Sequence, residues 1–161
     1  MMSRLIRKIP NRWLVWMYVR FPIKGMKDWL VYRSQSKFLM AVLAVVTNEA
    51  GEVLLLKHTY RKDPWGIPGG WMQHESPKEA LEREIFEETA FKVQVDGMAK
   101  PVYATKPHRI ELLYKARFLS GTFRPNEEIS AYQFCKVGEW PAGLPESQVN
   151  LIQAVLEEER V

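Results

Sequence analysis

Gly69-Gly70-Trp71-Met72-Gln73-His74-Glu75-Ser76-Pro77-Lys78-Glu79-Ala80-Leu81-Glu82-Arg83-Glu84-Ile85-Phe86-Glu87-Glu88-Thr89-Ala90-Phe91 is the stretch on which the reading of this chain turns. Ser76 and Glu79 stand at the separation of a capping box, with Pro77 at the first helical position, and the residues from Ala80 to Thr89 all tolerate a helix. Within that helix Glu84, Glu87 and Glu88 are spaced i, i+3, i+4 and so share a face, where like charges repel. They also occupy its last two turns, where the helix dipole disfavours acids. On the helical wheel Glu84 and Glu88 fall between Ala80 and Leu81, at the border of the apolar stripe, so their charge calls for compensation. A hard divalent cation, Mg²⁺ or Mn²⁺, supplies it with oxygen ligands, whereas a solvated Glu-rich helix is the ordinary alternative. Arg83, four residues before Glu87, is placed to hold one carboxylate by charge-assisted hydrogen bonds.

Upstream, Phe38 to Thr47 is rich in Val, Leu and Ala, then Asn48-Glu49-Ala50-Gly51 offers a turn before Val53-Leu54-Leu55-Leu56, which predicts two strands joined by a hairpin. Asp63-Pro64 and Ile67-Pro68-Gly69-Gly70 make Trp65 to Trp71 a loop or short extended chain. Downstream, Lys92 to Val95, Ala99 to Thr105, Arg109 to Ser120 and Ala131 to Val137 read as strands broken by Gly97, Pro107, Gly121 and Pro125. Val149, Ile152, Val155 and Leu156 form one apolar stripe of a closing helix over Ser147 to Arg160. This order predicts an α/β fold, a mixed or antiparallel sheet packed between helices.

The spacing Gly69, five residues, Glu75, seven residues, then Arg83-Glu84-Ile85-Phe86-Glu87-Glu88-Thr89-Ala90-Phe91 resembles the Nudix box, and Trp65-Gly66-Ile67-Pro68-Gly69-Gly70 resembles the segment that leads into it. The resemblance covers residues 37–161 and implies an α/β/α sandwich with a mixed sheet, a central catalytic helix and a C-terminal helix. It implies hydrolysis of a nucleoside diphosphate linked to another moiety, with Mg²⁺ or Mn²⁺. Carried over by position, Glu84, Glu87 and Glu88 would bind metal together with a backbone carbonyl at Gly69 or Gly70. Arg83 would orient the carboxylates, and Glu75 would support the loop or reach a metal-bound water. The family draws its general base from the box helix or from a later loop, so Glu84 and, in Pro125-Asn126-Glu127-Glu128, Glu127 and Glu128 are the candidates. Two departures stand out: Ala90 replaces the glycine that ends the box, and the double glycine is shifted, so the loop before Glu75 is one residue shorter than in common relatives.

Substrate signals are sparser. Pro107 lies 16 residues beyond Phe91, a placement that resembles a hallmark of ADP-ribose-cleaving relatives, while the Ser-Gln-Pro-Trp pattern of NADH-cleaving relatives is absent. ADP-ribose or a nucleotide sugar is therefore favoured, with nucleoside triphosphate pyrophosphohydrolysis or a non-catalytic nucleotide-binding module as alternatives. Trp65, Trp71, Tyr60 and Tyr103 are rings a base could stack on, or simply packing. Arg61, Lys62 and Arg109 are phosphate-contact candidates; His58, His74 and His108 read as surface or satisfied histidines.

The charge of the 161-residue chain is lopsided. Its net +4 combines +8 over residues 1–37, nine Lys/Arg against Asp28 alone, with −4 over the remainder. Residues 1–36 therefore form a basic arm, aromatic through Trp13, Trp16, Tyr18, Phe21 and Trp29, ahead of a body at 37–161. The arm is suited to an anionic membrane surface, to nucleic acid, to a second subunit in a homodimer, or to packing on the body. No apolar run approaches a transmembrane span, the longest being Phe38 to Val46. Arg20 interrupts the early apolar stretch, and no small-residue cleavage site follows, which reads against a signal peptide. The single cysteine, Cys135, excludes an internal disulfide and fits a cytoplasmic address.

Overall fold

The computed structural model describes residues 25–157 continuously, preceded by Pro10, Arg12, Trp13, Trp16 and Arg20, and for residues 26, 27 and 30 the backbone only. The chain divides into two compact units, Met1–Lys37 and Phe38–Val161. In the first, helix α1 (Met26–Ser34) ends with the Gln35 N–H donating to the Val31 carbonyl, and the Lys37 ammonium sits 3.9 Å above the Tyr32 ring. Tyr18, Phe21 and most of the basic arm lie outside the described residues, as do the membrane, nucleic-acid and dimer roles expected of it. No helix among the described residues is long and apolar enough to cross a membrane.

The second unit contains β1 (Leu39–Thr47), β2 (Val53–His58), β3 (Trp65–Gly66), β4 (Gly69–Trp71), α2 (Pro77–Thr89), β5 (Phe91–Thr105), β6 (His108–Gly121), β7 (Ile129–Cys135) and α3 (Glu146–Leu156). Its sheet is mixed. Along one edge β1 pairs parallel with β6, from Leu39↔Arg109 to Thr47↔Arg117. Along its other edge it pairs antiparallel first with β4, Ala41↔Trp71 to Leu43↔Gly69, and then with β2 at Thr47↔Val53. β2 in turn carries β3 at Leu56↔Gly66 and, on its opposite edge, β7. The segment from Trp65 to Trp71 thus crosses from the edge of β2 to the edge of β1, where the two strands diverge.

Both faces of the sheet are covered, which explains the unbroken apolar run of β1. Val42, Ala44, Val46, Leu54 and Leu56 pack with Ala80, Leu81 and Ile85 of α2. Val45, Val53 and Leu55 pack with Ile152 and Val155 of α3 on the other face. Each fully buried aliphatic side chain contributes about 1.5–3 kcal/mol. The result is the expected α/β/α sandwich.

Helix α2 starts as the capping box predicts: the Ser76 hydroxyl accepts from the Glu79 N–H at 3.4 Å, and the Glu79 carboxylate accepts from the Ser76 N–H at 3.1 Å. It ends on Ala90 in the left-handed conformation, φ 62° and ψ 19°, its N–H donating to the Phe86 carbonyl. One expectation is corrected. Gly97 does not break the chain into two strands, because β5 runs through it and absorbs the irregularity as a register shift between Asp96 and Lys100 against the continuous β6.

Candidate active site

Packing α2 against the sheet through Ala80, Leu81 and Ile85 brings its glutamate-bearing flank up to β4. Arg83 is the hub of that junction. Its Nη2 pairs with Glu75 Oε1 at 2.6 Å, and its Nη1 pairs with Glu84 Oε1 at 2.9 Å and Glu87 Oε2 at 3.0 Å. Nε donates to both oxygens of Glu75, and Nη2 also donates to the Trp71 carbonyl. Helical spacing predicts one carboxylate on this guanidinium; the fold supplies three and a carbonyl. Hydrogen bonding from Arg83 holds the Glu75 carboxyl below its ordinary range, and Glu75 in turn raises Arg83 further.

Glu88 points inward. It is buried, and its Oε2 accepts from the Gly69 N–H at 3.3 Å. Burial pushes its pKa up to about 8; Glu84 and Glu128 add to the rise, while the Gly69 N–H and the Arg61 guanidinium oppose it. Charged side chains from three segments, Glu84, Arg61 and Glu128, thus lie in electrostatic range of Glu88. Gly69 and Gly70 permit the approach by lacking a Cβ. At Gly69 a Cβ would strike the Val42 carbonyl, and at Gly70 it would strike the Glu84 carboxyl. Asn126 brings the later loop in: its Nδ2 donates to the Glu87 and Glu88 carbonyls at 3.2 Å, closing the open end of α2, while its Oδ1 accepts from the Glu128 and Ile129 N–H groups.

Among the described residues no three His, Cys, Asp or Glu side chains are grouped as ligands of an ion, and Glu84 and Glu87 each turn one oxygen to Arg83. The donor set nevertheless suits a hard divalent cation: carboxylate oxygens on one helix flank, a buried carboxyl whose charge is poorly compensated, and backbone with no side chain in the way at Gly69 and Gly70.

A family model of the NUDIX domain matches residues 37–155. The chain belongs to the Nudix hydrolase family. A MutT-like protein of Streptomyces ambofaciens is 28% identical over 93 residues, 57% of this chain and 60% of that protein, so the chain spans less than two thirds of that curated relative. The solved structure of a UDP-X diphosphatase shares the fold, with TM-score 0.67 and 24% identity over 86% of this chain and 73% of that one. An ADP-ribose pyrophosphatase from Streptococcus suis aligns with TM-score 0.63 and 26% identity over 78% of this chain and 94% of its own. Box, fold and family model agree on a Nudix domain, and Nudix hydrolases generally use divalent metal ions.

The structure therefore brings together the Nudix-box residues Gly69, Gly70, Glu75, Arg83, Glu84, Glu87 and Glu88, and sets Arg61 and Glu128 within electrostatic range of Glu88. Trp65 packs into the cluster beneath α3, whereas Trp71, beside Arg83, is half exposed. Arg109 is engaged on the β5–β6 hairpin, by Glu111 at 2.6 Å and by the Lys106 carbonyl at 2.9 Å. Tyr103 there shares a hydrogen bond with His108 Nδ1. His58 departs from its expectation: it is neither exposed nor satisfied, being 3% accessible with both ring nitrogens unpartnered. The alternation Leu54, Leu56, His58 along β2 was its only sequence signal. Asn126 and Gln148, whose Oε1 accepts from the Ile67 N–H at 3.0 Å, carried no signal beyond a turn residue and a helix residue.

Proposed function

We propose that this Nudix domain hydrolyses a phosphoanhydride in a nucleoside diphosphate linked to another moiety, of the ADP-ribose or nucleotide-sugar type, with Mg²⁺ or Mn²⁺. The observation that carries this reading is the Arg83 fork, which holds Glu75, Glu84 and Glu87 beside the buried Glu88. Glu84, Glu87, Glu88 and a carbonyl at Gly69 or Gly70 are the metal donors. A cation bound there would neutralise the diphosphate and lower the pKa of an attacking water. Arg83 fixes the carboxylates so that they do not rearrange as charge develops. Arg61, which among the described residues has no carboxylate partner, takes a phosphate oxygen on the side facing Glu88. Trp71 offers the exposed ring on which a base can stack, while Trp65 serves as framework in the cluster beneath α3. Arg109 serves the far end of the substrate through the hairpin it braces. Glu84 takes the proton from water, and Glu128, carried in by Asn126, is the second candidate. The buried free thiol of Cys135 supports a reducing, cytoplasmic setting.

The test is product chromatography after incubation with ADP-ribose, nucleotide sugars, dinucleotides and nucleoside triphosphates, under Mg²⁺ and separately Mn²⁺. The expected result is cleavage of a diphosphate-linked nucleotide that disappears in Glu88→Gln. Cleavage confined to triphosphates overturns the substrate class, and no cleavage under either metal overturns the hydrolase reading.

A further inference from the structure

His58 ends β2, its backbone fixed by donation to the Pro64 carbonyl at 2.7 Å. Its imidazole is buried, with neither nitrogen hydrogen-bonded. Burying a polar ring without partners is costly, and an apolar side chain of that size would fill the same space without the cost. The ring is not isolated, however. The space above Gly66 is bounded by three polar groups: a Cβ built there would lie 3.3 Å from Arg61 Nη1, 3.4 Å from Gln148 Oε1 and 3.7 Å from His58 Nε2. Gln148 is already committed to the Ile67 N–H. Arg61 is not committed in this way: the residue as a whole is exposed, its guanidinium touches the Tyr60 hydroxyl only at 3.5 Å, lies 5.5 Å from the centre of the Tyr60 ring and acts on Glu88 without forming an ion pair. A buried acceptor without a donor thus borders the same small space as a cationic donor without an anionic partner. Desolvation keeps the imidazole neutral, so it can accept.

We propose that His58 is a positioning residue for Arg61: Gly66 leaves room for the guanidinium, Nη1 donates to His58 Nε2, and the outward edge of the fork is thereby aimed at a phosphate of the bound diphosphate. The missing partner of the imidazole is supplied when substrate draws Arg61 into place. This inference rests on the reading of Arg61 as a phosphate contact. It goes beyond that reading by assigning a role to a residue of β2 and to the absence of a side chain at Gly66.

The experiment is calorimetric titration of the full chain with ADP and Mg²⁺, for wild type, His58→Leu, His58→Gln, Arg61→Ala and His58→Leu/Arg61→Ala, with the melting temperature of each. Loss of a charge-assisted hydrogen bond predicts about tenfold weaker ADP binding in His58→Leu, without a lower melting temperature, and recovery in His58→Gln. In the Arg61→Ala background His58→Leu should have no further effect. Wild-type affinity in His58→Leu, or an equal loss with and without Arg61, overturns the positioning role and leaves the Arg61 reading intact. Unchanged binding in Arg61→Ala overturns that reading and this one together, as does a wild type that does not bind ADP.

Discussion

Replacing Ala90 by glycine should stabilise the protein without altering its chemistry. Ala90 closes α2 at φ 62°, the one non-glycine residue with positive φ among the described residues. An L side chain in the left-handed region costs about 1–2 kcal/mol. The backbone cannot relax out of it, because the Ala90 N–H is bonded to the Phe86 carbonyl while Phe91 is already paired with Gly121 in the sheet. Glycine removes the strain but adds freedom to the unfolded chain, an opposing effect of about 0.4–1 kcal/mol. The net gain is roughly 0.5–1 kcal/mol, which for a chain of this size corresponds to a rise in melting temperature of about 1–4 °C. Urea and thermal unfolding of wild type, Ala90→Gly and Ala90→Val measure it, with Val expected to be less stable than Ala. Hydrolysis should be unchanged, since the carboxylates are held by Arg83 from the preceding turns. An Ala90→Gly protein no more stable than wild type would refute the assignment of strain to this cap.

Gly70→Ala places a methyl against the Glu84 carboxyl, so hydrolysis should fall about 100-fold while circular dichroism and melting remain near wild type; retained activity means that Glu84 does not need its position. Asn126→Ala removes the side-chain links from the 125–128 loop to the end of α2 and should cost about 1–3 kcal/mol in urea unfolding. It should also slow hydrolysis if Glu128 contributes, which the companion Glu128→Gln variant reads directly. His58 titrates near 4 in the folded protein against an ordinary 6.5, so between these values the unfolded chain binds the extra proton. Its contribution is intact above pH 6.5 and is lost by up to roughly 3 kcal/mol as pH falls toward 4. His58→Leu should flatten that acid limb, and an identical limb in both proteins would contradict the assignment.

The box helix was legible because its determinants are local. The Ser76–Glu79 capping box and Pro77 set its start, and the i, i+3, i+4 spacing put three carboxylates on one flank, all within reach of a few residues. The apolar runs of β1 and β2 likewise announced buried strands, since a sheet covered on both faces needs apolar residues at every position. What pairs with what was decided elsewhere. The parallel match of β1 with β6, and the crossing of Trp65–Trp71 into the gap between β1 and β2, depend on burying both faces of one sheet at once. No window of sequence contains that condition. The same holds for the site: Arg83 collects Glu75 from eight residues away and the Trp71 carbonyl only because the loop folds back over α2, Asn126 meets the helix end only after β6 has returned, and Gln148 joins His58 and Arg61 above Gly66 only through long-range packing. Sequence by itself singled out the residues proposed to carry the chemistry, through their type and their helical phase. Tertiary structure alone decided which of them are buried, which are paired, and which are left with a hydrogen bond still to make.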